Sequence, residues 1–422
     1  MSQGFAGYNI MDTEISFKNS PNIDAFGRLR VSNPFTLFDS SHRYADNGLW
    51  STATAGSGAA VFNANQGLVD LNVNAVSGSS VIRETTKVFS YQPGKSLLVL
   101  STFVMSPAKT GLRQRVGYYG ASNGYYLELN NSAVSFAERT AVGGLVGTSN
   151  VSQATWNVDV MDGTGPSGII LDLTKAQILF MDLEWLGVGT VRMGFVINGN
   201  FYVCHKFHHA NIITNTYITT ASLPLRYEIT NTAATSGAST LKQICSTVLS
   251  EGGYELNGLQ QSIGTRVQTP IALPIAGTSY PIISLRLKTS PDRLDGIVIL
   301  TALSIMATST GNYNWQVVAS GTTTGGTWLS AGTNSCVDYN ITGTTFSSTG
   351  GRVLASGFFN STNQGSTQVD ILKEALFKFQ LERNGLTGPP GTPFELTLIV
   401  ASDAGGGGGN VLASLDWEEI SR

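Results

Sequence analysis

The acidic residues with the most suggestive spacing are Asp182 and Glu184, which alternate along a strand-like segment beside Trp185. Residues i and i+2 of a strand are separated by about 6.6 to 6.8 Å, and hydrolysis of a glycosidic bond needs two carboxyl groups about 5 to 10 Å apart. The same alternation occurs in any half-exposed strand, however, and no second acidic motif supplies a distinct acid and base. We therefore predict no catalytic residues and no enzyme activity.

Histidine residues are concentrated in the string CHKFHH, where His205, His208 and His209 follow Cys204. On a strand, His205 and His209 share one face and His208 takes the other. No carboxylate or second cysteine stands at the spacing of a zinc finger, and the aspartates of residues 158–173 lack the spacing of an EF-hand loop. The pattern is typical of a solvated strand end, and we predict no metal site.

Motifs that bind nucleotides or activate nucleophiles are absent from the sequence. There is no GxSxG elbow, no HExxH pair and no Walker-type glycine loop. The formal net charge is −3, from 25 basic and 28 acidic side chains, so electrostatics give no reason to expect nucleic-acid binding. We expect no cofactor and no nucleic-acid partner.

Four tyrosines flank a predicted hairpin turn at Ser122-Asn123-Gly124. Tyrosine rings can stack on a sugar, or they can line a subunit interface or the edge of a core. The candidate residues for contact with a glycan are Tyr118, Tyr119, Tyr125 and Tyr126.

The 422-residue chain is poor in charge and rich in glycine. Charged residues make up 13% of it, about half the usual share for a soluble domain, and glycine numbers 48. This composition disfavours long helices and suits strands joined by tight turns. The three cysteines are too few and too scattered for a disulfide scaffold and are expected to be reduced. The N-terminus lacks a secretory signal and the best apolar run, Ile297–Met306, is too short to cross a bilayer, so we expect a soluble chain.

Alternating apolar residues predict strands along most of the chain. The clearest set lies at Gln177–Phe207, where the phrase INGNFYV resembles the late hairpin of concanavalin-like jelly-roll sandwiches, as found in lectins and laminin-G-type modules. We predict an all-β protein with an N-terminal arm at 1–33, a jelly-roll sandwich at 34–251, a linker at 252–270 and a second β-sandwich at 271–422.

The segment Asn22–Ser40, NIDAFGRLRVSNPFTLFDS, has one cationic edge and one apolar edge. It resembles the N-terminal signature of virion structural proteins of tailed bacteriophages, especially phages of marine cyanobacteria. The alternative from the residues alone is an ordinary edge strand that leads into a β domain. The resemblance implies incorporation into a virion as a homotrimer or symmetric ring, after synthesis in the host bacterial cytoplasm.

Within that interpretation the segment is an attachment element. Two arginines would pair with carboxylates or carbonyls of a partner, and apolar side chains would fill its pockets. The residues concerned are Arg28, Arg30, Phe35, Leu37 and Phe38.

The resemblance implies a structural component of the virion, either a tail-fibre or baseplate-associated protein or a capsid-attached fibre. Its partners would be other virion proteins, with no membrane. The alternative function is that of a lectin-like module that binds glycans of the host surface through the jelly roll.

Overall fold

The computed structural model describes residues 33–255, 257–361, 379–387, 391–403 and 408–421. The first seventeen strands build one sandwich, and a single 3-10 turn (Gln153–Thr155) accompanies them. In chain order these strands are β1 (Phe35–Ser41), β2 (Trp50–Ala55), β3 (Ala59–Asn63), β4 (Leu68–Val73), β5 (Ser80–Thr85), β6 (Phe89–Ser90), β7 (Ser96–Val104), β8 (Leu112–Tyr119), β9 (Gly124–Asn130), β10 (Ala133–Thr140), β11 (Gly147–Ser152), β12 (Gln177–Leu183), β13 (Val191–Ile197), β14 (Asn200–Phe207), β15 (Ser222–Leu223), β16 (Leu225–Asn231) and β17 (Ser239–Glu251).

These strands form two antiparallel sheets that pack face to face. Sheet 1 has the order β14-β13-β12-β7-β17-β4-β3, and β1 also pairs with β17. Sheet 2 has the order β11-β10-β9-β8-β16-β5-β2, and β6 pairs with β15 in a short separate ribbon. The prediction of an all-β protein with a jelly-roll, concanavalin-like sandwich is confirmed.

The core of this sandwich is built by side chains that alternate along the strands. Val99 in β7 and Leu179 and Met181 in β12 point inward from sheet 1 and are buried. From sheet 2, Phe136 stacks on Trp156 with ring centroids 4.3 Å apart. Burial of each such side chain contributes about 1.5 to 3 kcal/mol, so the period-two pattern of the sequence fixes which face of each strand turns inward.

Two asparagine–glycine turns connect neighbouring strands as the sequence predicts. Asn198 and Gly199 join β13 to β14 with φ angles of 52° and 78°, the left-handed pair that a two-residue hairpin requires. Asn123 and Gly124 lie between β8 and β9, where Gly124 has a φ of 129°. Both turns hold the adjacent strands in tight antiparallel register.

The remaining strands build a second sandwich. They are β18 (Leu259–Gly264), β19 (Ile271–Leu273), β20 (Tyr280–Leu287), β21 (Ile297–Ala307), β22 (Asn312–Thr324), β23 (Leu329–Ser330), β24 (Val337–Asn340), β25 (Thr345–Ser347), β26 (Arg352–Asn360), β27 (Arg383–Asn384), β28 (Thr392–Pro393), β29 (Glu395–Ser402) and β30 (Gly409–Ser421).

The second sandwich also has two main sheets. One contains β30 with β18 and β19 on one side and β21 on the other, and the other has the order β23-β24-β20-β29-β22-β25, with β26 paired to β22. The predicted linker 252–270 differs from the structure, because β18 lies inside it and pairs with β30 between residues 414 and 419. Its polar, weakly alternating sequence belongs to an edge strand, which has solvent on one side.

The two sandwiches contact one another through a polar and apolar junction. The backbone N–H of Arg383 donates to the carbonyl of Thr86 at 2.8 Å. Val88 of the first sandwich packs with Ile297 and Ile299 of the second. Within the part of the chain that the structure describes, no helix is long and apolar enough to cross a membrane.

Candidate functional site

The apolar end of the predicted attachment segment belongs to the protein's own core. Leu37 and Phe38 are both 7% exposed, and the ring of Phe38 lies 4.9 Å from that of Phe89. A register shift between Thr36 and Phe38, where β1 pairs with β17, allows two consecutive side chains to turn inward. The prediction that Leu37 and Phe38 fill pockets of a partner is therefore wrong.

Of the other three residues predicted to mediate attachment, only Phe35 lies in the described part of the chain. Phe35 is half-buried and its ring stacks on that of Tyr254 at 6.2 Å. Arg28 and Arg30 lie outside the described residues.

The four tyrosines predicted to contact a glycan are buried, with at most 2% of each exposed. Tyr118 and Tyr125 point between the two sheets, where the hydroxyl of Tyr118 donates to the carbonyl of Ala221 at 2.7 Å. Tyr119 and Tyr126 lie on the outer face of sheet 2 but beneath arginine side chains. None of the four offers a ring face to a sugar, and this prediction is corrected.

The outer face of sheet 2 carries a charged network that the sequence analysis did not single out. Glu128, Arg115 and Glu228 are adjacent across three strands, and Arg115 Nε donates to Glu128 Oε2 at 2.6 Å. Burial raises the pKa of Glu228, but the charges of Arg226 and Arg115 outweigh this effect and hold that pKa below its ordinary value. Glu228 is therefore an ionised partner in the network and not a proton donor.

Arginine side chains on this face also cover the two outward tyrosines. The guanidinium of Arg139 lies 5.4 Å from the ring centroid of Tyr119 and 5.2 Å from that of Tyr126. Gly117 stands opposite Tyr126 in the register, and a Cβ on this glycine would come within 2.6 Å of the Cα of Tyr126. The glycine thus lets the backbones approach and the ring lie flat on the sheet.

A cleft of about 590 Å³ lies at the end of the first sandwich, where Asn257 and Ile420 of β30 also line it; we call it the aromatic cleft. Three aromatic side chains line it, namely Tyr91, Trp185 and Tyr254, and none of the described residues around it is an aspartate, glutamate, lysine, arginine or histidine. Its hydrogen-bonding groups are neutral hydroxyls and amides, supplied by Ser90, Gln92, Thr219, Thr220, Ser222 and Asn257.

Trp185 reaches the cleft from the turn between β12 and β13. The turn is closed by a 2.7 Å hydrogen bond from the backbone N–H of Gly189 to the carbonyl of Trp185. Gly187 has a φ of 80°, which a side chain would strain. On the opposite wall the hydroxyls of Tyr254 and Ser90 lie 3.2 Å apart. The indole is half-buried, and its N–H is buried without a hydrogen-bond partner.

A histidine side chain contacts the same turn and joins it to sheet 2. His209 Nδ1 lies 2.5 Å from the carbonyl of Gly189, and its Nε2 lies 2.8 Å from Glu138 Oε2 on sheet 2. The ring stacks on Tyr217 at 3.9 Å, and the Tyr125 hydroxyl donates to the same carboxylate oxygen at 2.5 Å. His209 therefore connects the turn that carries Trp185 to the other sheet.

The remaining histidines do not join His209 in a metal site. His205 accepts a hydrogen bond at Nδ1 from the backbone N–H of Asn157 at 3.2 Å and is buried, whereas His208 is exposed. Among the described residues, no three or more histidine, cysteine, aspartate or glutamate side chains converge as metal ligands. The buried positions of His205 and His209 differ from the solvated strand end that the sequence predicts.

The paired acids Asp182 and Glu184 are both buried on sheet 1. Arg192 Nε donates to Asp182 Oδ2 at 2.8 Å, and the hydroxyl of Ser96 donates to Asp182 Oδ1 at 2.5 Å. Asp182 is thus held in a buried ion pair, and the two acids do not lie on the half-exposed strand face that their alternation suggests.

A second, smaller cavity of about 410 Å³ lies between the two sandwiches; we call it the junction pocket. Glu84 and Arg226 reach it from sheet 2, and Asp295 and Arg383 reach it from the second sandwich. Arg383 lies 3.1 Å from Glu84 and 3.1 Å from Asp295. Charged residues alternate with apolar ones in LRQRV (112–116) and LRYEI (225–229), and this pattern predicts ionic side chains on the outer face of the sheet. The sequence does not show that these two distant strands are neighbours in sheet 2.

No protein-family model matches the chain, and no curated protein matches it. Similar structures have been solved, each covering about half of this chain. They include a protein of unknown function from Shewanella oneidensis MR-1 (11% identity, 54% of this chain and 91% of that one, TM-score 0.35), a legume lectin-like domain from Entamoeba histolytica (11%, 52% and 97%, 0.29) and a mixed-linkage glucan GH16 protein from Bacteroides ovatus in complex with a product (10%, 50% and 99%, 0.34). At these identities the likeness concerns the fold.

The prediction that the chain is not an enzyme is overturned by these structures. Glycoside hydrolases are among them, so this fold class does not exclude carbohydrate-active enzymes. At about 10% identity, the likeness assigns neither a reaction nor a catalytic residue to this chain.

Proposed function

We propose that the protein binds glycans and that the aromatic cleft is the binding site. The observation that carries this proposal is the composition of the cleft wall. The half-buried Trp185 and Tyr254 offer aromatic surface beside the buried Tyr91, while hydroxyl and amide groups surround them and no ionic side chain is among the described lining residues. Such a wall suits a neutral sugar, whose C–H face packs on an aromatic ring and whose hydroxyls exchange hydrogen bonds with neutral partners.

The volume of the aromatic cleft and the rigidity of the turn that carries Trp185 also favour this site over the four tyrosines predicted from sequence. A cavity of about 590 Å³ lies within the range of small-molecule sites, about 300 to 1,000 Å³. The turn that presents Trp185 is fixed at Gly189, whose N–H donates to the carbonyl of Trp185 and whose carbonyl contacts His209. A fixed ring loses little conformational freedom when a ligand arrives, which favours affinity.

The experiment is glycan-array binding by the full chain, followed by titration of the best neutral glycan against two variants. Trp185→Ala removes the aromatic wall of the cleft, and we expect at least about a tenfold loss of affinity, or about 1.4 kcal/mol. Trp328→Ala is the matched control, because Trp328 is also half-buried but lies in the second sandwich under the guanidinium of Arg286. We expect this control to bind as the unsubstituted chain does.

Two results would count against the proposal. One is an array without any bound glycan at a protein concentration that detects millimolar affinity. The other is an affinity that Trp185→Ala and Trp328→Ala leave equally unchanged, since the sugar would then bind elsewhere.

A second proposal concerns where the protein acts: we propose that it is a component of a tailed-phage virion, as a homotrimer or symmetric ring. The resemblance of Asn22–Ser40 to virion structural proteins supports it. A glycan-binding site would suit a component on the exterior that meets the host surface. In this proposal Arg28 and Arg30 mediate attachment, while Leu37 and Phe38 belong to the sandwich core.

The test is incorporation into phage particles of a chain that lacks residues 1–32. This deletion ends before β1, so the core contacts of Leu37 and Phe38 are kept. We expect the deleted chain to fold and to be absent from purified particles, and the double variant Arg28→Ala/Arg30→Ala to be depleted from them. Equal incorporation of all three chains would contradict the attachment role.

A further inference from the structure

We infer that the junction pocket is a second binding site, which takes a neutral, hydroxyl-rich ligand such as a saccharide unit with a vicinal diol. This site is separate from the aromatic cleft and shares none of its lining residues. It also differs in chemistry, because ionic side chains line it beside the neutral Ser122 and Asn123, and none of the described residues that line it is aromatic.

The polar walls of the pocket are unusually well buried. Glu84 is 2% exposed, Arg383 6% and Arg226 8%. Each sandwich contributes one of the two arginines, so the pocket is complete only when the sandwiches are docked. Apolar side chains, Leu223 and Leu294 among them, supply the rest of the lining.

The hydrogen-bonding capacity of these walls is only partly used. The Nε–H groups of Arg226 and Arg383 are buried and have no acceptor among the described residues. Glu84 Oε1 lies 3.1 Å from Arg383 Nη1 as an ion pair, yet it accepts no well-aligned hydrogen bond. Buried donors and acceptors without partners cost free energy, so a ligand that satisfies them is bound preferentially.

The arrangement selects the class of ligand. Two guanidiniums are balanced by Glu84 and Asp295, and Asp292 adds a further carboxylate at the pocket wall. An anion would be repelled by these carboxylates, and a purely apolar group would leave the arginine donors unpaired. A pair of neighbouring hydroxyls satisfies both needs, because each oxygen can accept from an arginine and each O–H can donate to a carboxylate.

A ligand in this position touches both sandwiches, so binding must stabilise their docking. The junction is otherwise joined by contacts such as the Arg383–Thr86 backbone hydrogen bond and the packing of Val88 on Ile297. Binding should therefore raise the temperature at which the full chain unfolds, by an amount that grows with the logarithm of the ligand concentration above the Kd.

The experiment uses the full chain and saturation-transfer NMR with three neutral probes, mannose, galactose and glucose, each titrated to about 10 mM, a range that detects millimolar affinity. Ala121→Trp places a large side chain on an exposed residue that lines the pocket, without touching the ion pairs. Arg383→Lys keeps the charge but removes the Nε–H donor. We expect at least one probe to bind, and both variants to weaken it by at least about tenfold.

Trp185→Ala separates this inference from the proposed function. Binding that persists in Trp185→Ala and fails in Ala121→Trp assigns the site to the junction pocket. The inference is overturned if no neutral probe binds, if Ala121→Trp binds as well as the unsubstituted chain, or if glucuronate or sulfate binds the pocket in preference to the neutral sugars. A saccharide lost only in Trp185→Ala would support the aromatic cleft and overturn the second site.

Discussion

His209 Nε2 lies 2.8 Å from Glu138 Oε2, and this contact joins the loop after β14 to the facing sheet. The other ring nitrogen lies 2.5 Å from the carbonyl of Gly189. Both ring nitrogens of His209 thus lie within hydrogen-bond distance of an oxygen on a neighbouring element. The pair thus holds the turn of Trp185 against sheet 2.

We predict that His209→Gln lowers the free energy of unfolding by about 1 to 3 kcal/mol, because it removes the buried ring that contacts the Gly189 carbonyl and Glu138. Urea denaturation of the two single variants, His209→Gln and Glu138→Gln, and of the double variant gives the coupling energy. We expect a coupling of at least about 1 kcal/mol. Additive losses would show that the two side chains act independently.

Stability should fall between pH 6.5 and pH 4 because of His205. Burial and the nearby His208 lower the pKa of His205 from 6.5 to about 4. In that window the unfolded chain binds a proton that the native chain does not, so acidification favours unfolding. A shift of this size corresponds to at most about 3 kcal/mol over the whole window, and we expect about 1 to 2 kcal/mol of it between pH 7 and pH 4.5.

The measurement compares urea denaturation at pH 7 and pH 4.5 for the unsubstituted chain and for His205→Gln. The difference between the two pH values should be smaller by about 1 to 2 kcal/mol in the variant. His208→Gln removes only the smaller of the two causes of the lowered His205 pKa, so it should reduce this difference by less than His205→Gln does. An identical pH dependence in His205→Gln and the unsubstituted chain would refute the assignment.

Phe38→Ala should destabilise the first sandwich by about 3 to 5 kcal/mol, since it leaves a cavity between the rings of Phe89 and Trp50. Phe358→Ala is the matched control, because Phe358 is 82% exposed on β26 and its loss should cost less than about 0.5 kcal/mol. Thermal unfolding of both variants measures the difference. Equal stability of the two would mean that Phe38 is not a core residue.

Gly117→Ala should destabilise the chain by more than about 2 kcal/mol or prevent folding. Its Cβ would lie 2.3 Å from the carbonyl oxygen of Tyr125, and backbone atoms cannot move aside. Gly147→Ala has no heavy atom within 4 Å of the new Cβ and an unstrained φ, so it should be nearly neutral. Denaturation midpoints of the two variants provide the comparison, and similar values would contradict the close approach of β8 and β9.

The sequence predicts the strands well because their patterns are local. Leu179, Met181 and Leu183 recur at every second position, and Asn198-Gly199 has the left-handed preference that a tight hairpin needs, so period and turn type can both be read from a few residues. The Asn22–Ser40 segment shows the limit of this reasoning. Its apolar face could equally fill a partner or the protein's own core, and β17, which decides the matter for Leu37 and Phe38, lies more than two hundred residues later.

The candidate sites also depend on contacts between residues that are far apart in the sequence. In the sequence, Trp185 is distinguished only by its acidic neighbours Asp182 and Glu184. The cleft that it lines also contains Tyr91 and Tyr254, which are distant in the chain. The four tyrosines beside the Asn123-Gly124 turn look exposed in sequence because turns are usually at the surface. They are buried because the facing sheet covers two of them and arginines cover the others, and neither relation has a local signal.

The central claim is that a neutral sugar binds in the aromatic cleft, and a crystal structure of the full chain with the best glycan from the array tests it most directly. The account predicts a pyranose ring packed on the indole of Trp185, with its hydroxyls in contact with the hydroxyl of Thr220 and the amide of Asn257. A glycan bound at another surface, with the aromatic cleft free of sugar, would contradict it.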